Sequence, residues 1–159
     1  MLDFKVIIPA LKKNVAFHDD LIKKLSGITL IQRAINKAFQ LDINSKNIYL
    51  ITDSEEIRLI GDRNNINTFW DANLVWDKKI YVDIVWEYFQ KITSTSDYII
   101  FLSPYSPLLS INLIKDALDD FYKSEEIALK PIKELKKHLF DNANQSSFEA
   151  IFGNNEDLS

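Results

Sequence analysis

The stretch Phe4-Lys5-Val6-Ile7-Ile8-Pro9-Ala10 decides the fold. Six of its seven residues are apolar, and Val6, Ile7 and Ile8 are β-branched. A continuous apolar run of this length, bounded by polar residues, suits a central parallel strand buried on both faces. Pro9 marks where it stops, because a central strand cannot lose a ladder donor in its middle. The polar connection over residues 11–26 then leads to a helix. In an open α/β sheet, ligands are held beyond the carboxyl ends of the strands, which is where this connection lies.

Downstream, the pattern alternates. Residues 26–41, SGITLIQRAINKAFQL, carry Leu30, Ile31, Ala34, Ile35, Ala38 and Leu41 at the spacing of one helical face, with Ser26 or Thr29 as the cap. KNIYLIT, residues 46–52, reads as a second buried strand. Asp53, Ser54, Glu55 and Glu56 mark a helix start, since acidic side chains suit the positive end of a helix, and the helix is expected to be short, ending near Gly61. A weak third strand is expected over 65–69 and a helix over 80–92, its apolar side made by Ile80, Ile84, Val85, Tyr88, Phe89 and Ile92. DYIIFLS, from Asp97, gives a fourth strand, followed by the turn-rich SPYSPLLS at 103–110. Ser110 caps a further helix through Tyr122, with Leu113, Ile114, Ala117, Leu118 and Phe121 inward, and a fifth strand is expected at 126–129. Strands alternating with helices predict a three-layer α/β/α domain with a mostly parallel, Rossmann-like sheet. The domain is expected over 1–130, with 131–159 as a C-terminal extension rich in Asn, Ser, Glu and Gln beyond residue 142.

Composition limits the chemistry. The chain has 159 residues, a formal charge of -4 and no cysteine, which excludes disulfides, thiolate catalysis and cysteine-ligated metal. The acidic balance argues against nucleic acid or an anionic membrane as partner. No apolar run approaches the ~20 residues of a bilayer span, and no leader pattern is evident, so the expected location is cytoplasmic. With three glycines there is no glycine-rich phosphate loop. His18 beside Asp19 and Asp20 lacks the ligand spacing of a zinc site, and Trp76, Trp86, Tyr88 and Phe89 read as packing residues.

Four motifs, in order, resemble the cytidylyltransferases that activate acidic sugars, especially the acylneuraminate branch. They are Val6-Ile7-Ile8-Pro9-Ala10 followed by Gly27-Ile28-Thr29-Leu30-Ile31, then Ile51-Thr52-Asp53-Ser54-Glu55-Glu56-Ile57, then Tyr81-Val82-Asp83-Ile84-Val85, and Leu102-Ser103-Pro104-Tyr105-Ser106-Pro107-Leu108-Leu109. The likeness covers residues 4–120 and implies a sheet of the nucleotide-diphospho-sugar transferase type. It also implies transfer of CMP from CTP, with Mg²⁺, to an acidic sugar in surface polysaccharide synthesis. On this resemblance Lys12, Lys13 and Asp53 are the catalytic candidates, with Asp53 also the metal ligand. Pro9, Ala10, Leu11, Asn14, Asp83, Ser103 and Ser106 would line the nucleotide site. Expected partners are the nucleotide, the sugar and a homodimer or larger complex.

The departures fall on the charged positions. The family arginine after Pro-Ala is Leu11, its Gly-Ser-Lys is replaced by Lys12, Lys13 and Asn14, its Lys-Asn pair falls on Asp20 and Leu21, and its next lysine is Ile28. The base-reading glutamine is Ser103, and the closing arginine is Leu109. Trp70 stands where a further arginine is expected. Lys23 and Lys24 are the next cations available to a phosphate, and Asp53 suits a helix cap as well as a ligand contact. Family members also run well beyond this length, into a second half with the sugar pocket, a dimerisation arm and further aspartates. A catalytically inactive transferase-like domain, acting in protein interaction or nucleotide binding, is therefore the alternative. A nucleotide-sugar glycosyltransferase is disfavoured, because Asp53 is followed by Ser54 and Glu55 in place of a D-x-D motif.

Overall fold

The computed structural model describes residues 4–12, 19–73, 90 and 98–124. The chain divides into two compact units, Met1–Asp119 and Asp120–Ser159. Every described strand belongs to the first unit; of the second, residues 120–124 are described, at the end of one helix.

The apolar run at the N-terminus forms β1 (Phe4–Pro9). A two-residue hairpin, β2 (Lys24–Leu25) and β3 (Ile28–Thr29), precedes α1 (Leu30–Phe39). Then come β4 (Ile48–Thr52), α2 (Glu55–Arg63), β5 (Asn67–Trp70), β6 (Tyr98–Phe101) and α3 (Ile111–Lys123). The main sheet has the order β5-β4-β1-β6, and every pairing in it is parallel. The expected α/β, Rossmann-like architecture is the observed one.

β1 is central and its two neighbours are offset. Val6–Pro9 pair with Ile48–Ile51 of β4, whereas Phe4–Ile7 pair with Tyr98–Phe101 of β6. Side chains alternate across a strand, so Val6, Ile8 and Ala10 share a face with Ile48 and Leu50. That face packs against Ile31, Ala34, Ile35 and Ala38 of α1 and Ile57 of α2 to make the core. Ile7 and Ile51 point the other way and are also fully buried. Burial on both faces is why this run lacks the alternation of a half-solvated strand.

Two local readings need correction. The helix expected from Ser26 begins at Leu30. Ser26 (φ 51) and Gly27 (φ 81) are instead the centre of the hairpin turn, the paired positive-φ geometry that suits a two-residue connection. Thr29 is the cap, its Oγ1 accepting from the Gln32 N–H at 3.2 Å. The second helix is short and ends near Gly61, at Arg63, as expected; Gly61 lets α2 approach the sheet, since a Cβ there would sit 2.8 Å from Leu50 Cδ2 and closer still to Thr68 Oγ1. In α3, capped by Ser110 Oγ on the Leu113 N–H at 3.2 Å, Ile114 packs on the core but Leu113 is exposed. The expected helix at 80–92, the strand at 126–129 and the extension at 131–159 lie outside the described residues, Gln90 apart.

Candidate functional site

Because the four strands are parallel, the connections after β1, β4, β5 and β6 all leave the same rim. Pro9 has no N–H to give, and the ladder resumes at Ala10, whose N–H donates to the Ile51 carbonyl at 2.8 Å. Ala10 and Leu11 are then buried, and the chain turns out at Lys12. Across the rim β4 ends in Thr52, followed by Asp53 and Ser54, both nearly buried. Ser54 takes the capping role, with its Oγ facing the Ile57 N–H. Asp53 does something else: its Oδ1 accepts the Lys12 backbone N–H at 2.6 Å. The connection after β1 is thereby pinned to the connection after β4.

The Lys12 side chain is pinned as well. Its Nζ lies 2.9 Å from Asp19 Oδ1 and 3.3 Å from Glu56 Oε2. The hydrogen bond to Asp19 raises the lysine above its ordinary range; partial desolvation works against this, and Glu56 adds to the rise. Asp19 holds a left-handed backbone (φ 63), which Asp tolerates better than most residues.

On the other side of β1, the Ser103–Ser110 connection is braced rather than loose. Ser103 Oγ accepts from the Tyr105 N–H at 3.2 Å, and the Tyr105 hydroxyl donates to Asp20 Oδ1 at 3.4 Å. Lys37 of α1 donates from Nζ to the Ser106 and Pro107 carbonyls at 2.8 and 3.0 Å. Burial lowers the Lys37 pKa, and nearby Arg33 pushes it the same way. Beside this brace, Asp20, Lys23, Lys24, Leu25 and Leu30 line an open hollow of about 250 Å³.

Of the expected site residues, Pro9, Ala10, Leu11, Lys12 and Asp53 share one corner of the rim, and Ser103 and Ser106 belong to the connection across β1. Lys13, Asn14 and Asp83 lie outside the described residues. Asp19, Glu56 and Tyr105 were not among the expected site residues. Glu56 was visible as a helix-start charge, but nothing in the linear text pairs it with Lys12. Asp53 spends Oδ1 on an amide, and among the described residues no group of three or more His, Asp or Glu side chains converges.

No protein-family model matches the sequence, and no curated protein does. Solved structures do match. One is a CMP:2-keto-3-deoxy-manno-octonic acid synthetase complexed with CTP, at 16% identity and a TM-score of 0.61, over 76% of this chain and 47% of that one. The fold is cytidylyltransferase-like. A second match is a cytidylyltransferase from Leptospira borgpetersenii serovar Hardjo-bovis (strain JB197), at 15% identity and a TM-score of 0.56, over 79% and 51% of the two chains. The chain thus spans about half the length of the structures it matches. Among its described residues, no helix is long and apolar enough to cross a membrane.

Proposed function

We propose that the rim holds CTP and that the protein is a cytidylyltransferase-like enzyme, passing CMP to an acidic sugar for surface polysaccharide. The observation that carries this reading is the fastening of Lys12 to Asp53. It fixes the backbone that carries this lysine, next to Pro9–Leu11, at the sheet edge where α/β folds take nucleotides. In such a transfer a sugar hydroxyl attacks the α-phosphate and pyrophosphate leaves. The transition state needs positive groups set beforehand where phosphoryl charge builds up. Lys12 would supply one, and Lys23 and Lys24 stand next to the neighbouring hollow. Ser103 and Ser106 would face the base, with Asp83 and Asn14 completing the pocket. Magnesium would arrive on the triphosphate, as it commonly does, and Asp53 would be the residue to hold it. A homodimer or larger complex belongs to the same reading. Calorimetric titration with CTP and Mg²⁺ tests it: saturable binding lost in Lys12→Ala supports it, and absence of binding by the intact protein removes it.

A second reading is favoured by specific contacts. The Lys12 ammonium already lies between two carboxylates, Leu11 is core at the position of the family arginine, and Ser103 Oγ is engaged by the Tyr105 amide. These features suit a catalytically inactive transferase-like domain that binds a nucleotide or a partner protein. CTP binding without pyrophosphate release in the presence of acidic sugars would select it.

A further inference from the structure

The contacts around Lys12 assign a role to two residues that were not among the expected site residues. We propose that Asp19 and Glu56 are an internal competitor for phosphate: they occupy the Lys12 ammonium and so set the affinity of the rim for anions. The inference deepens the nucleotide reading and rests on it for the identity of the natural ligand.

Three observations converge. The two carboxylates reach the same Nζ from different elements, Asp19 from the turn before β2 and Glu56 from the first turn of α2. The Lys12 main chain is held separately by Asp53, so the root of the side chain stays at the rim whether or not the carboxylates are there, and the freed ammonium keeps its reach. Both competitors are half-exposed, at 50% and 56% of their side-chain surface, against 33% for Lys12. A pair buried in the core would exact a large desolvation penalty on being opened. A pair this wet opens readily and exchanges its carboxylate for another oxyanion. A phosphate oxygen meets an ammonium with the same charge-assisted geometry as a carboxylate oxygen. The acidic neighbours therefore lower anion affinity without dismantling the site.

The test uses inorganic pyrophosphate as the probe, titrated calorimetrically into the full chain and into Asp19→Asn, Glu56→Gln and the double variant. Each substitution keeps shape and one acceptor oxygen while removing one negative charge. Pyrophosphate should bind roughly two- to fivefold more tightly for each carboxylate removed, the range of partly exposed ion pairs. Adding Lys12→Gln to the double variant should abolish the gain, which separates release of this lysine from a general change in net charge. Far-ultraviolet circular dichroism confirms that each variant is folded. The inference falls if the double variant gains nothing, or if the gain survives Lys12→Gln. A gain for pyrophosphate without any binding of CTP would sustain the competitor role and overturn the cytidylyltransferase reading. Equal CTP binding by wild type and double variant would do the reverse.

Discussion

The backbone N–H of Lys12 and the carboxylate of Asp53, 41 residues apart in sequence, meet at 2.6 Å across the C-terminal rim of the sheet. A nearly buried carboxylate accepting a main-chain amide is a charge-assisted bond, and its loss leaves that amide to find another acceptor. Asp53→Ala should destabilise the domain by about 1.5–3 kcal/mol, and Asp53→Asn, which keeps an acceptor, by less. Urea denaturation of the two variants checks the order. Equal losses would mean that the side chain serves by bulk alone.

Gly61 sits inside α2 where alanine would ordinarily be preferred by ~1 kcal/mol. Here the added Cβ meets Leu50 Cδ2 at 2.8 Å and the Thr68 hydroxyl closer still. Overpacking wins, and Gly61→Ala should cost about 1–3 kcal/mol net. Thr68→Ala removes the nearer obstacle and should recover part of the loss in the double variant. Thermal unfolding of the four proteins measures the coupling directly.

Gln32 of α1 and Asn64 at the end of α2 exchange two amide hydrogen bonds, at 2.9 and 3.0 Å. Asn64 also donates to the Ile60 carbonyl at 2.7 Å, so it closes its own helix while holding the other. A double-mutant cycle of Gln32→Ala and Asn64→Ala should give a coupling of about 0.5–1.5 kcal/mol. Additive losses would show that the pairing carries no stability.

Lys12 is raised above the ordinary lysine range when folded. A group whose folded pKa is raised stabilises fully below its unfolded value, about 10.4 for lysine, and ceases to do so as pH climbs through the folded one. The stability difference between wild type and Lys12→Met should therefore be level from neutral pH to about 9 and shrink above about 10.4. Lys37 has the opposite sign: its pKa is lowered by burial, so the penalty on its charged form is relieved as pH rises. Taking the difference against Lys12→Met isolates the first effect from the second, and a difference that grows with pH would contradict it.

The strands of this fold were legible because burial on both faces leaves an uninterrupted apolar run, as at Phe4–Pro9 and Ile48–Thr52. The caps at Thr29 and Ser110 were legible for a local reason, since each bonds a residue three positions on. Ser26-Gly27 was misread because a serine before an apolar helix looks like a cap, whereas the pair supplies two positive-φ residues to a hairpin. The packing role of Gly61 was not legible, because the need for a missing side chain comes from Thr68 and Leu50 and has no trace in its own helix. At the rim, Lys12 and Asp53 could be chosen from their places after two strands. Their mutual bond, and the roles of Asp19 and Glu56, depend on how the connections fold back, and side-chain spacing along the chain says nothing of that.

The staggered pairing of β1 has a consequence for whatever lies on the rim. β6 ends opposite Ile7, while β4 continues until it is level with the residue after Pro9. At about 3.3 Å per residue the edge descends roughly 7–10 Å from the β4 side to the β6 side. The top of the sheet is thus a terrace with an upper ledge at Asp53 and a lower one at Ser103. A molecule in touch with both must be long enough to straddle the step, which suits an elongated ligand with chemically distinct ends better than a compact one.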